Sequence, residues 1–172
     1  EDYVYKHTLN TAILCAMMTY KLKMEFKYQL DVVVAALLHD IGTLLIPLQL
    51  RHKNRAELSK EDLAKVNTYH VAALQMFSQN RDLDFDIIRI VTDIIKQLHP
   101  EIVKAGEVPE VMPLGAEVLK VAYAYDMMTA MNFDEEPHSE IVAIRHLMND
   151  EVEYNPDVVE ALLSSINILS PG

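Results

Sequence analysis

The stretch DVVVAALLHDIG, Asp31 to Gly42, decides the fold. Seven apolar residues, Val32 to Leu38, run directly into His39 and Asp40. Valines are mediocre helix formers, but Ala35-Ala36-Leu37-Leu38 favours a helix. The reading opens that helix at Asp31 and ends it at Gly42, with Pro47 soon after. One apolar helix therefore delivers an imidazole and a carboxylate side by side at its end. The run is too short to cross a bilayer, and no signal-peptide pattern is seen.

Working outward, helical spacing dominates. Upstream, Tyr3 to Lys23 carries Leu9, Ile13, Ala16, Met17 and Tyr20 at that spacing. Downstream, Pro47 to Leu58 reads as a loop with a basic cluster, Arg51, His52, Lys53 and Arg55. Ser59 and Asp62 form a capping-box start for a helix to about Ser78, and another spans Phe85 to Leu98. Pro100, Gly106, Pro109 and Pro113 mark a long connection. Leu114 to Met131 is almost wholly apolar, so it belongs at the centre. Helices near Pro137 to Met148 and Pro156 to Ile168 complete the chain, the last with Asn155 as cap and Pro156 at its first position. The expectation is one all-α domain over residues 1–172, a bundle of about seven helices.

Composition agrees. The 172 residues are 51% hydrophobic and 24% charged, with only 4 Gly and 7 Pro, which is globular and poor in turns. A formal charge of −11 argues against a broad nucleic-acid surface, which needs a basic face. It also repels small anions at long range, so any phosphate must be held locally. The single cysteine, Cys15, lies in an apolar stretch and permits no intrachain disulfide. A reducing, cytoplasmic setting is the simplest reading. Because the chain opens on Glu1, it is expected to be a segment of a longer protein.

Several polar residues stand where apolar ones are expected. Asp126 sits inside the most apolar helix, among Ala122, Tyr123, Thr129 and Ala130. A carboxylate there is costly unless paired, hydrogen-bonded or metal-bound. His70 stands on a stripe between Val66 and Leu74, His7 one turn before Thr11, and His99 at a helix end. Taken singly, each histidine reads as a hydrogen-bonded structural residue. Together, four histidines and two carboxylates over five segments suit a bundle holding cations. Mixed ligands of this kind favour iron, manganese or zinc. His52, His138 and His146 read as surface or packing residues, and the nine methionines as core filler.

With these residues in hand, the sequence resembles the HD-GYP branch of the HD metal-dependent phosphohydrolases. The resemblance rests on Ala36-Leu37-Leu38-His39-Asp40-Ile41-Gly42, then Ile46-Pro47, Leu58-Ser59 with Glu61, His70, Val121 to Asp126 with Thr129, and Tyr154 to Val159. HD-GYP proteins are bacterial phosphodiesterases that hydrolyse cyclic di-GMP with two or three metal ions. The resemblance implies His7, His39, Asp40 and Asp126 as core ligands, with Asp40 bridging and catalytic. It implies His70 and His99 for a second ion. Two transition-metal ions are expected, iron or manganese, with zinc as an alternative. A cyclic dinucleotide or other phosphoester, an upstream sensor or receiver domain and a homodimer are the expected partners.

The departures from the pattern matter too. Thr43 stands where the family has lysine, Tyr3 where it has an acidic ligand, and Leu98-His99 where it has paired histidines. Lys104 to Met112 lacks Gly-Tyr-Pro, and Asn132 replaces an arginine. Thr43, Arg51, Lys53, Arg55 and Asn132 are the candidate phosphate contacts, although for Arg51, Lys53 and Arg55 a solvated basic loop is the favoured reading. These losses imply a metal-dependent phosphodiesterase with weakened or altered activity. The alternative is an inactive regulatory module that binds metal, nucleotide or a partner. A di-iron redox centre is a third reading that nothing here selects.

Overall fold

A computed structural model describes residues 2–107, 110–130, 136–149 and 153–169. Among them the chain forms α1 (Asp2–Lys21), α2 (Phe26–Leu38), α3 (Ile41–Leu45), α4 (Leu48–Arg51), α5 (Lys60–Gln79), α6 (Phe85–Leu98), α7 (Leu114–Thr129), α8 (Glu140–Asn149) and α9 (Pro156–Leu169). No strand occurs among the described residues. The all-α expectation holds, with α3 and α4 as short additions to seven longer helices.

Local chemistry explains most boundaries. Ser59 and Asp62 make the capping box that opens α5. Asn155 Oδ1 accepts from the Asp157 N–H at 3.0 Å at the start of α9. Helix α1 closes with Met24 N–H donating to the Thr19 carbonyl and Lys23 at φ 53°, a left-handed closure that usually selects glycine. Two boundaries differ from the sequence reading. Helix α2 starts at Phe26, because Asp31 is held mid-helix by Lys27 one turn earlier, Nζ to Oδ2 2.8 Å. The helix also stops at Leu38, and Gly42 lies inside α3. The expected loop from Pro47 to Leu58 contains α4 and a 3₁₀ turn at Arg55–Glu57, both too short for periodicity to reveal.

Helix α7 is central, as its apolar sequence requires. It packs on α1, α2, α6, α8 and α9. Gly115 near its start permits close approach: a Cβ there would meet Val32 Cγ2 at 2.7 Å and Ile90 Cδ1 at 2.8 Å. The core is filled by fully buried Met18, Ile90, Ile94, Leu119, Leu147 and Leu162. Each contributes about 1.5–3 kcal/mol by leaving water. Antiparallel α1 and α2 lie against this centre, and α5 covers α6 and α3.

By length and composition alone, Phe26–Leu45 would pass as a membrane span. Here it is two helices interrupted at His39 and Asp40, packed on α1, α5, α6 and α7.

Candidate metal centre

The break between α2 and α3 builds the site. His39 caps α2 with its N–H on the Ala35 carbonyl, and Asp40 adopts φ −92°, ψ 8°. That turn sends both side chains inward, where His39 is 4% and Asp40 8% exposed. Helix α1 brings His7 to the same place, its side chain also buried. His7 Nε2 lies 3.9 Å and His39 Nε2 3.3 Å from Asp40 Oδ2.

Both imidazoles are fixed from behind. His39 Nδ1 lies 2.6 Å from the Ala36 carbonyl, which can only accept, so Nδ1 carries the proton. His7 Nδ1 lies 2.6 Å from Asp126 Oδ2 and donates to that carboxylate in the same way. Each ring therefore turns its Nε2 towards Asp40. Neither Nε2 has a hydrogen-bond partner, and both are shut off from solvent. Two unsatisfied buried nitrogens facing a carboxylate are a costly arrangement. A divalent cation would satisfy both nitrogens and the carboxylate together, so these residues fit a metal ion. Ligand atoms of His7, His39 and Asp40 all lie within 4.8 Å of one another.

Asp126, expected among the ligands, occupies the Nδ1 side of His7. Its Oδ1 accepts from Asn10 Nδ2 at 3.1 Å, so both oxygens are engaged. This is how carboxylates commonly orient metal-binding histidines. What α7 shows to the cluster is Tyr123. Its ring meets His7 edge-on at 4.7 Å and His39 at 5.6 Å between centroids. Burial, then the Asp40 charge, pushes the Tyr123 hydroxyl far up, so it stays protonated. Thr8 adds a long contact to Asp40 Oδ2, 3.4 Å. The sequence reading missed Tyr123, Asn10 and Thr8. Tyr123 lies one helical turn before Asp126, and Asn10 almost one turn after His7, a spacing that could have flagged both.

His70 and His99 form a second pair, their rings stacked with centroids 3.5 Å apart. Burial lowers the affinity of both for protons, taking His99 to about 4, and the charge of Asp40 opposes this on each ring. Asp40 is thus within electrostatic reach of both pairs. Both rings are neutral near pH 7 and able to ligate. Gly42 makes room: a Cβ there would lie 3.1 Å from His70 Nδ1.

Thr43, Arg51, Lys53 and Arg55 line a cavity of about 160 Å³ together with His70 and His99. The cations also have partners in the protein. Arg51 Nη1 donates to the Leu44 carbonyl at 3.2 Å, Lys53 Nζ to Asp62 at 3.2 Å, and Arg55 Nη2 to Glu101 at 3.3 Å. Asn132 lies outside the described residues. Cys15 is fully buried, and burial pushes its thiol far up, in keeping with a core role.

Residues 2–158 match the HD domain family. The chain belongs to that family. HD domains bind divalent metals and include metal-dependent phosphohydrolases, and this HD domain buries the His and Asp cluster such ions need. Its fold is shared with Bd1817, an HDG"Y"P protein from Bdellovibrio bacteriovorus, at TM-score 0.66 and 23% identity. That likeness covers 94% of this chain and 51% of the other, so this HD domain spans about half the length of that protein. No curated protein matches it.

Proposed function

We propose that this HD domain is a metal-dependent phosphohydrolase with weak or absent turnover of cyclic di-GMP. The observation that carries the reading is the pair of bare, buried Nε2 atoms of His7 and His39 facing Asp40. His7, His39 and Asp40 would hold one ion. His70 and His99, which feel the Asp40 charge, would hold a second. Iron or manganese suits this donor set, with zinc as the alternative. Bound there, such ions lower the pKa of a water and offset charge developing on phosphoryl oxygens.

The chain's own residues do the positioning. Asp126 and the Ala36 carbonyl fix the tautomers and ring planes of His7 and His39. Tyr123 walls off their edges from solvent. No serine or cysteine nucleophile is required. The weak hold on cyclic di-GMP follows from Thr43, which lines the cavity beside His70 where the related enzymes carry lysine. The same observation supports a second reading, a regulatory module that binds metal without turnover.

Metal analysis with a phosphoester panel tests both. The purified protein is expected to contain manganese, iron or zinc, and His39→Ala with Asp40→Ala to remove most of it. Hydrolysis of any phosphoester that disappears in the double variant supports the enzyme. Metal without hydrolysis supports the module. A wild type that stays metal-free after supplementation defeats both, and brisk turnover of cyclic di-GMP defeats the weakened activity.

A further inference from the structure

The cavity beside His70 and His99 concentrates positive charge in an acidic protein. The whole chain carries −11, yet the charged side chains lining this hollow are Arg51, Lys53 and Arg55 against a single carboxylate, Glu101. Each cation is tethered without being exhausted. Arg51 spends Nη1 on the Leu44 carbonyl and Arg55 spends Nη2 on Glu101. A guanidinium has five N–H donors, so both keep donors for a further acceptor. Tethering also fixes the cations in place before a ligand arrives, which lowers the ordering cost of binding. The hydroxyl-bearing Thr43 lines the same hollow.

The cavity holds about 160 Å³, below the roughly 300–1,000 Å³ of pockets for drug-sized ligands. A phosphate group fits here. A terminal phosphate carries about −1.5 to −2 charges at neutral pH, whereas each phosphate of a cyclic diester carries about one. With Lys53 paired to Asp62 and Arg55 to Glu101, Arg51 is left as the uncompensated cation, and this local excess favours the former.

We propose that this cavity binds a terminal phosphate, so that the substrate carries a free phosphomonoester group and is not a cyclic dinucleotide. The proposal rests on the phosphohydrolase reading for its catalytic meaning, but the anion site itself needs no metal. The first test is therefore calorimetric titration of chelator-treated protein with inorganic phosphate. Wild type is expected to bind. Arg55→Ala is expected to weaken binding about tenfold, the loss of one charge-assisted hydrogen bond. The Arg55 side chain is 68% exposed, so this variant keeps the fold. Lys53→Gln, at 44% exposure, gives a second test with an independent tether. The second test uses manganese-loaded protein and compares linear dinucleotides with and without a 5′-phosphate. Arg55→Ala should lower the ratio of their kcat/KM values about tenfold, mainly through KM.

Three results overturn the proposal: no phosphate binding without metal, binding unchanged in both variants, or equal loss of kcat/KM for both dinucleotides. A wild type unable to hold metal would sink the phosphohydrolase reading alone, because the titration of metal-free protein would remain readable.

Discussion

Replacing Asp126 by Asn separates a residue that touches the cation from one that acts through His7. The carboxylate is 5% exposed, and its two oxygens meet His7 Nδ1 at 2.6 Å and Asn10 Nδ2 at 3.1 Å. In Asp126→Asn the amide oxygen can still accept from His7, and the exposed Asn10 can turn its own amide to suit the new NH₂ group. The ring stays oriented, but the charge that makes it a stronger ligand is gone. Loss of such an outer partner typically weakens metal affinity 10- to 100-fold, about 1.4–2.8 kcal/mol. The assay is competition with a fluorescent chelator under buffered zinc or manganese, repeated in a His7→Ala background. If Asp126 works through His7, its substitution costs nothing further once His7 is absent, and the coupling equals the whole effect. Additive losses would refute this and make Asp126 a ligand. Thermal melts of the metal-free variants establish that each is folded.

Other outcomes follow from the same geometry. Gly42→Ala puts a methyl 3.1 Å from His70 Nδ1 and 3.2 Å from Ala73 Cβ; overpacking there should cost about 1–3 kcal/mol, read as a lower denaturation midpoint, and weaken the second metal equivalent more than the first. Tyr123→Phe keeps the ring against His7 and His39 and should leave metal affinity within a few-fold. Tyr123→Ala should lower both affinity and stability, the latter by about 3 kcal/mol; equal effects of the two variants would place the role in the hydroxyl. For pH, burial lowers His99 from 6.5 to about 4 and His70 in the same direction. Between those values the unfolded chain binds a proton that the folded chain refuses. Metal-free protein should therefore lose stability as pH falls from about 6.5 to about 4, by at most roughly 3 kcal/mol for His99, whose contribution is complete below that range. Urea midpoints across that range check it, and a shallower slope in His99→Gln, with the remainder from His70, identifies the group.

Much of this molecule was legible in one dimension. The Ser59 and Asp62 box, the Asn155-Pro156 start and the apolar sequence of α7 act within a few residues, and each appears as read. His39 and Asp40 announced themselves as polar residues at the end of an apolar run. The short helix after Pro47 was hidden, because four residues show no period. The start of α2 was misplaced because Asp31 resembles a cap, whereas Lys27 holds it mid-helix. Asp126 was conspicuous as a buried carboxylate, but its sequence position says nothing about which ring nitrogen it meets. Tyr123 escaped notice, since an aromatic residue on an apolar helix is ordinary until its neighbours are known.

Sequence alone determined the chemical inventory and the helices that carry it, because helical period and capping are set by neighbours three or four residues apart. It fixed which residues are imidazoles and carboxylates and which helix faces must be buried. Only the packed structure decided that His7 and Asp126, 119 positions apart, share a proton, and that two bare nitrogens converge on Asp40. It also decided that the basic residues after Pro47 gather around the cavity of His70 and His99. Such directions depend on how α1, α2, α5 and α7 cross, and crossing is set by the close fit of many distant side chains, which no local pattern encodes.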